Sequence, residues 1–132
     1  MAGMPKHARL FVALGALAAV LAVAIGAIAA HHPAAARAAA LPMFQAALQL
    51  HQFHALGLIA VGLTAARLSE SRWINAAGLL MIAGLLLFSG NLDLRSFAGI
   101  DLQRAATPWG GIAWLLAWVA LAIGTLRTRS SG

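Results

Sequence analysis

The chain has 132 residues, of which 62% are apolar and 9% charged, with a formal net charge of +6 and no cysteine. Soluble domains run at about 45–50% apolar and about 25% charged, so there is too little polar surface here to coat a globule in water. The missing cysteine excludes disulfides, thiolate metal sites, iron–sulfur clusters and cysteine nucleophiles.

The nine Lys and Arg residues sit at the ends of apolar runs rather than on one stripe. That pattern speaks against nucleic acid as a partner and marks the lipid bilayer as the surroundings, with the charges acting as topology signals. At ~20 residues per span the length holds four crossings and short connections. The expected fold is an all-α integral membrane four-helix bundle, a single membrane domain over residues 1–132 with spans at about 10–30, 42–66, 73–92 and 108–126.

The first run carries no charged residue over residues 10–30 and would extend about 31 Å as a helix, the thickness of a hydrocarbon core. A cleaved signal peptide is the competing reading, because Lys6 and Arg9 precede the run and Ala27-Ile28-Ala29 resembles a small-residue cleavage site. The run outlasts a typical signal core, which favours a retained span. Ala18, Ala22, Gly26 and Ala30, each four apart, offer a small-residue contact face. The connection that follows holds Pro33 and an alanine-rich stretch fit for a short surface helix.

The second run is polar in its first half, with Gln45, Gln49, His51, Gln52 and His54, and clean beyond it except for Thr64. At 100° per residue the three glutamines share one face, and His51 and His54 are turned away from it. Residues 67–72 form a tight turn. The third run ends near Phe88-Ser89-Gly90-Asn91, followed by a connection that contains Asp93, Arg95, Asp101 and Arg104. In the fourth, Thr107 is placed to cap the helix and Pro108 to occupy its first turn. Ala113, Ala117, Ala120 and Gly124 then line one side, with Trp114 and Trp118 one turn apart beside them.

Lys6, Arg9, Arg67, Arg72, Arg127 and Arg129 flank one side of the spans, against Arg37, Arg95 and Arg104 on the other. The positive-inside rule puts both termini in the cytoplasm, in a bacterial inner membrane. Trp73 and Trp109 then fall at opposite interfaces. With that orientation the polar positions collect in the outer half, and a pathway lined through one chain is not expected.

For chemistry, the spans hold no paired carboxylates, no serine beside a base, no phosphate-binding glycine loop and no metalloprotease helix. No catalytic residue, cofactor or metal is assigned, and an enzyme is not expected. Haem wants two histidines at one depth on facing helices, and His54 has no such mate on another span. A buried imidazole hydrogen-bonded to a neighbouring helix is the expected role of His54.

Gly26-Ala27-Ile28-Ala29-Ala30-His31, Phe44 through Gln49 leading to His54-Ala55-Leu56, Phe88-Ser89-Gly90, and Thr107-Pro108-Trp109-Gly110-Gly111 through Trp118 together resemble the small four-span membrane family numbered 423 among domains of unknown function, which includes transmembrane protein 256 of animals. The likeness runs in order over nearly the whole chain, and Thr-Pro-Trp-Gly-Gly is its most specific part. It departs at Leu50, where the family favours tyrosine, and at Asp93, where it favours an aromatic hydroxyl. What the resemblance implies is an uncleaved first span, a four-helix bundle and a bacterial inner-membrane or mitochondrial setting, without an activity. The candidate positions are His31, Gln49, His54, Asn91, Thr107, Pro108, Gly110 and Gly111. The leading expectation is a non-enzymatic accessory or scaffold subunit of a larger membrane assembly, and the alternative is a self-associating small transporter, channel or lipid-handling protein.

Overall fold

The structure, a computed structural model, describes residues 3–90 and 106–127. Helix α1 runs Lys6–His31, α2 is the single turn Ala36–Ala39, α3 runs Pro42–Arg67, α4 runs Arg72–Gly84 and continues as a π-helical turn over Leu85–Gly90, and α5 runs Ala106–Arg127. The described residues contain no strand. Four helices are long and apolar enough to cross a membrane: Lys6–His31, Pro42–Arg67, Arg72–Gly90 and Thr107–Arg127.

Local chemistry sets most of the boundaries. The first helix begins four residues before its apolar run, because helices end at caps and prolines rather than at the first charge; Arg9 N already bonds Pro5 O at 3.0 Å. It ends where His32 precedes Pro33, a position that disfavours helical backbone, and His32 is extended at φ −96°, ψ 119°. Leu41 is extended for the same reason ahead of Pro42, which fills the first position of α3 where its missing N–H is no loss. The turn after α3 is closed by Ser71 N on Leu68 O at 3.0 Å, and the Ser71 hydroxyl accepts from Ile74 N at 3.4 Å to cap α4.

Two antiparallel hairpins make up the bundle. Helix α1 packs along α3, α4 along α5, and α3 against α4 joins the pairs. The shared core holds Leu58, Val61, Ile74, Met81, Trp114 and Ala117.

On α1 the contact face differs from the four-residue stripe expected from sequence. The buried small residues are Ala8, Gly15, Ala22 and Ala29, while Ala18 and Gly26 are half-buried and Ala30 is exposed. They are seven apart, because a stripe of four-residue steps rotates ~40° per step off a contact line, whereas a seven-residue repeat drifts only ~20° and is absorbed by a left-handed supercoil. The approach is close enough to need glycine. A Cβ on Gly15 would stand 2.9 Å from the Ala55 carbonyl oxygen, and one on Gly62 2.9 Å from that of Ala8. The stripe on α5 is buried throughout, at Ala113, Ala117, Ala120 and Gly124, and Gly124 lies against Ile74 of α4.

Candidate functional site

The two polar faces of α3 have opposite fates. His51 and His54 are each 5% exposed and point into the bundle. Gln45, Gln49 and Gln52 are exposed on its outer surface. Gln45 turns back along its own chain and donates from Nε2 to Ala39 O at 2.9 Å, securing α2 against the start of α3.

His54 is the centre of an aromatic cluster that ties three helices together. Its Nδ1 lies 2.7 Å from Leu50 O, one turn earlier on α3. The indole N–H of Trp118, on α5, donates to His54 Nε2 at 3.2 Å. One ring nitrogen must therefore carry the proton given to Leu50 and the other must accept, which fixes a neutral imidazole with its proton on Nδ1. Both nitrogens are engaged, and the one lone pair, on Nε2, is taken by the indole N–H and is not left to bind a metal ion. The ring is stacked on Trp114 with centroids 3.7 Å apart and planes 4° from parallel, and Phe53 meets its edge at 5.1 Å.

Trp114 carries the cluster onward to α4. Its indole N–H donates to Met81 O at 3.3 Å, and the ring fills the space that a side chain on Gly84 would occupy. Met81 O and Gly84 lie where the α-helical ladder gives way to the π turn. Met81 O also accepts from the Leu85 backbone N–H, so the indole is a second donor to a carbonyl at the start of the π turn. Phe88, within the π turn, lies 4.7 Å from Trp114.

The sequence-predicted positions divide around this cluster. Gly110 belongs to it, since a Cβ there would stand 2.6 Å from Phe88 N and the residue is buried. Gly111 has open space where a Cβ would be. Thr107 is half-buried in the first turn of α5, which is helical from Ala106, and Pro108 follows, exposed. His31 is the exposed last residue of α1, and Gln49 is exposed on α3, both away from the cluster. Asn91 and Asp93 lie outside the described residues. Leu50, where the family favours tyrosine, serves here through its backbone carbonyl.

Sequence reasoning missed two things. It had Trp114 and Trp118 beside a small-residue stripe, and an i, i+4 pair of tryptophans opposite a lone intramembrane histidine was the signal for the clamp. It had no means to find Ser89, which is 1% exposed with an Oγ that has no hydrogen-bond partner. Among the described residues no three of His, Cys, Asp and Glu come together in a way that could hold a metal ion.

Four apolar helices held by small-residue contacts and one saturated polar clamp define a multi-pass helical membrane protein. Residues 25–111 match the family described as "Protein of unknown function (DUF423)". The chain is 37% identical over 120 residues to the UPF0382 membrane protein YwdK of Bacillus subtilis, covering 90% of this chain and 98% of that protein. It is 35% identical over 127 residues to a UPF0382 membrane protein of Haemophilus influenzae, covering 91% and 96%. It is 28% identical over 124 residues to the UPF0382 inner membrane protein YgdD of Escherichia coli, covering 93% and 86%. The chain belongs to this family of membrane proteins, whose description assigns no activity. No solved structure matches it. The matched segment contains His54 and ends at Gly111, three residues before Trp114.

Proposed function

We propose that the protein is a non-enzymatic accessory subunit of a bacterial inner membrane, which docks through the amide face of α3 onto a spanning helix of a larger membrane assembly. The observation that carries this reading is the position of Gln49 and Gln52. Both are exposed, and they lie about 27 Å and 22 Å along the helix from Arg67, inside a hydrocarbon core of about 30 Å. An amide facing lipid at that depth is costly unless another helix supplies a hydrogen bond. Below them the same face continues with Leu56 and Leu63, both exposed, which would pack against that helix.

Two small-residue faces are already spent within the chain. The small-residue face of α5 is consumed by α4, and that of α1 by α3. The Arg67 half of the interior is filled by the apolar core, which supports a packed scaffold over a pathway through one chain. The excess of Lys and Arg at the Arg67 end supports cytoplasmic termini. A phosphatase that is active only after export, fused at the C-terminus, is expected to be inactive.

The test is mild-detergent purification of a tagged chain from its native host, with the co-purifying proteins and native mass determined together. Stoichiometric recovery in one larger complex is expected, and its loss in a Gln49→Leu/Gln52→Leu variant whose bundle remains folded. Recovery of the unaltered chain alone, or of a complex indifferent to the double substitution, would end this reading.

A further inference from the structure

Thr64 and Thr125, both within helices, satisfy their hydroxyls in the usual way, by bonding back one turn. Thr64 Oγ1 donates to Ala60 O at 2.9 Å, and Thr125 Oγ1 to Leu121 O at 2.9 Å. Ser89 does not. It sits in the π turn, where the carbonyls are out of register with an α-helical hydroxyl, and its buried Oγ has no partner. Ser89 is also part of the wall of a cleft of about 280 Å³, between α1 and the end of α4, with His51 and Leu58 of α3 at its back.

The shape of the cleft follows from the packing. Phe11 of α1 bridges to α4 by lying over Gly78, where any side chain would collide with its ring. Beyond that bridge, toward the His31 end, α1 and α4 leave a trench flanked by Leu14 and Ile25 at its two limits. Its mouth is set between side chains on the outer surface of the bundle: Leu17, Leu21 and Leu86 are 59%, 58% and 70% exposed. The trench is therefore open sideways, toward the bilayer.

Its dimensions select the occupant. The eleven helical steps from Leu14 to Ile25 rise about 16 Å, close to half of a hydrocarbon core of about 30 Å, which is one leaflet. Spread over that length, the volume is that of a channel a few ångströms across, narrower than an α-helix about 10 Å wide. A helix from a partner cannot enter, and a single hydrocarbon chain can. Water is disfavoured along most of the trench, since a stable buried water needs two to four polar partners and the walls are almost wholly aliphatic.

We propose that this trench holds one acyl chain of a glycerophospholipid, with the ester carbonyl at the head of that chain accepting a hydrogen bond from Ser89 Oγ. Ser89 is about 25 Å along the span from Arg72, near the far boundary of the hydrocarbon core, where ester carbonyls lie. The polar side chain is thus at the depth of the lipid's own polar atoms, and the aliphatic walls are at the depth of its tail.

The experiment is native mass spectrometry of the full chain, released from mild detergent after equilibration with a synthetic phosphatidylglycerol of defined mass. The unaltered chain is expected to keep one lipid under conditions that strip the loosely held ones. Ser89→Ala should reduce the retained fraction roughly fivefold, the worth of one hydrogen bond, with the thermal midpoint unchanged or raised because an unsatisfied hydroxyl has gone. Ala18→Phe should fill the trench and remove the lipid altogether; if that variant does not fold, Ser89→Ala decides alone. The proposal is overturned if the unaltered chain keeps no lipid, if Ser89→Ala keeps as much as it does, or if chain taken from its native host carries a prenyl lipid in place of the phospholipid.

Discussion

The two ends of this bundle are held together by different means. At the Arg67 end, polar side chains close mostly on neighbours in sequence: Ser71 on Ile74 N, Asn75 Nδ2 on Ser69 O and Thr125 on Leu121 O, with the Arg127 guanidinium 5.4 Å over the ring of Trp73 as the long-range contact. Between them the interior is aliphatic and tight. Toward the His31 end the contacts are long-range and aromatic: Trp118 on His54, Trp114 on Met81, Phe88 on Trp114. That end also has the π turn, the side-opening cleft and the outward amides. In lipid, where apolar contact with a helix gains little over contact with a tail, close packing and a few hydrogen bonds must supply association. The Arg67 end does it mainly by packing, and the His31 end adds directed bonds.

If the aromatic clamp holds the second hairpin to α3, its removal should be the most damaging single change. Trp114→Ala strips the stack on His54, the bond to Met81 O and the filling of the space at Gly84 together, and is expected to destabilise by about 3–5 kcal/mol. Thermal unfolding in detergent measures it, and a shift no larger than that of a lipid-facing Leu115→Ala would mean that the clamp is ornamental. Gly84→Val attacks the same seam from the other side by driving a side chain into the indole, with an expected loss of about 1–3 kcal/mol. The two substitutions share a contact and should not add.

The directed bond itself is worth less. Trp118→Phe keeps most of the ring and removes the N–H that His54 Nε2 accepts, so its expected cost is about 0.6–2 kcal/mol. A double-mutant cycle with His54→Ala should return a coupling in that range; a coupling near zero would reduce the pair to packing alone.

Much of this arrangement was legible in the sequence, and the limits of legibility have physical causes. Span number and approximate ends follow from apolar run length and from Pro33, Pro42 and Pro108. The opposition of the glutamine and histidine faces on α3 follows from 100° per residue. The burial of His54 was expected as well, but its partner was not, because Trp118 lies 64 residues away. The contact line on α1 was misread because a four-residue stripe is what the alanines display, while a supercoiled pair selects Ala8, Gly15, Ala22 and Ala29. The π turn leaves no mark on composition or periodicity, and the unpartnered hydroxyl of Ser89 is a consequence of it.

The smallest expected effect is that of Gly111 in the Thr-Pro-Trp-Gly-Gly segment, where two adjacent glycines separate the contacts within the chain from those outside it. Gly110→Ala sets a methyl against the backbone of Phe88 and is expected to cost about 1–3 kcal/mol. Gly111→Ala meets nothing, and in a helix interior the exchange should stabilise the isolated chain by up to about 1 kcal/mol. A bundle made firmer by Gly111→Ala yet released from its native complex would place a close helix approach on the outer side of α5 and widen the docking surface beyond α3. A firmer bundle that still co-purifies would confine docking to α3, and leave Gly111 as a glycine tolerated beside the one that Phe88 requires.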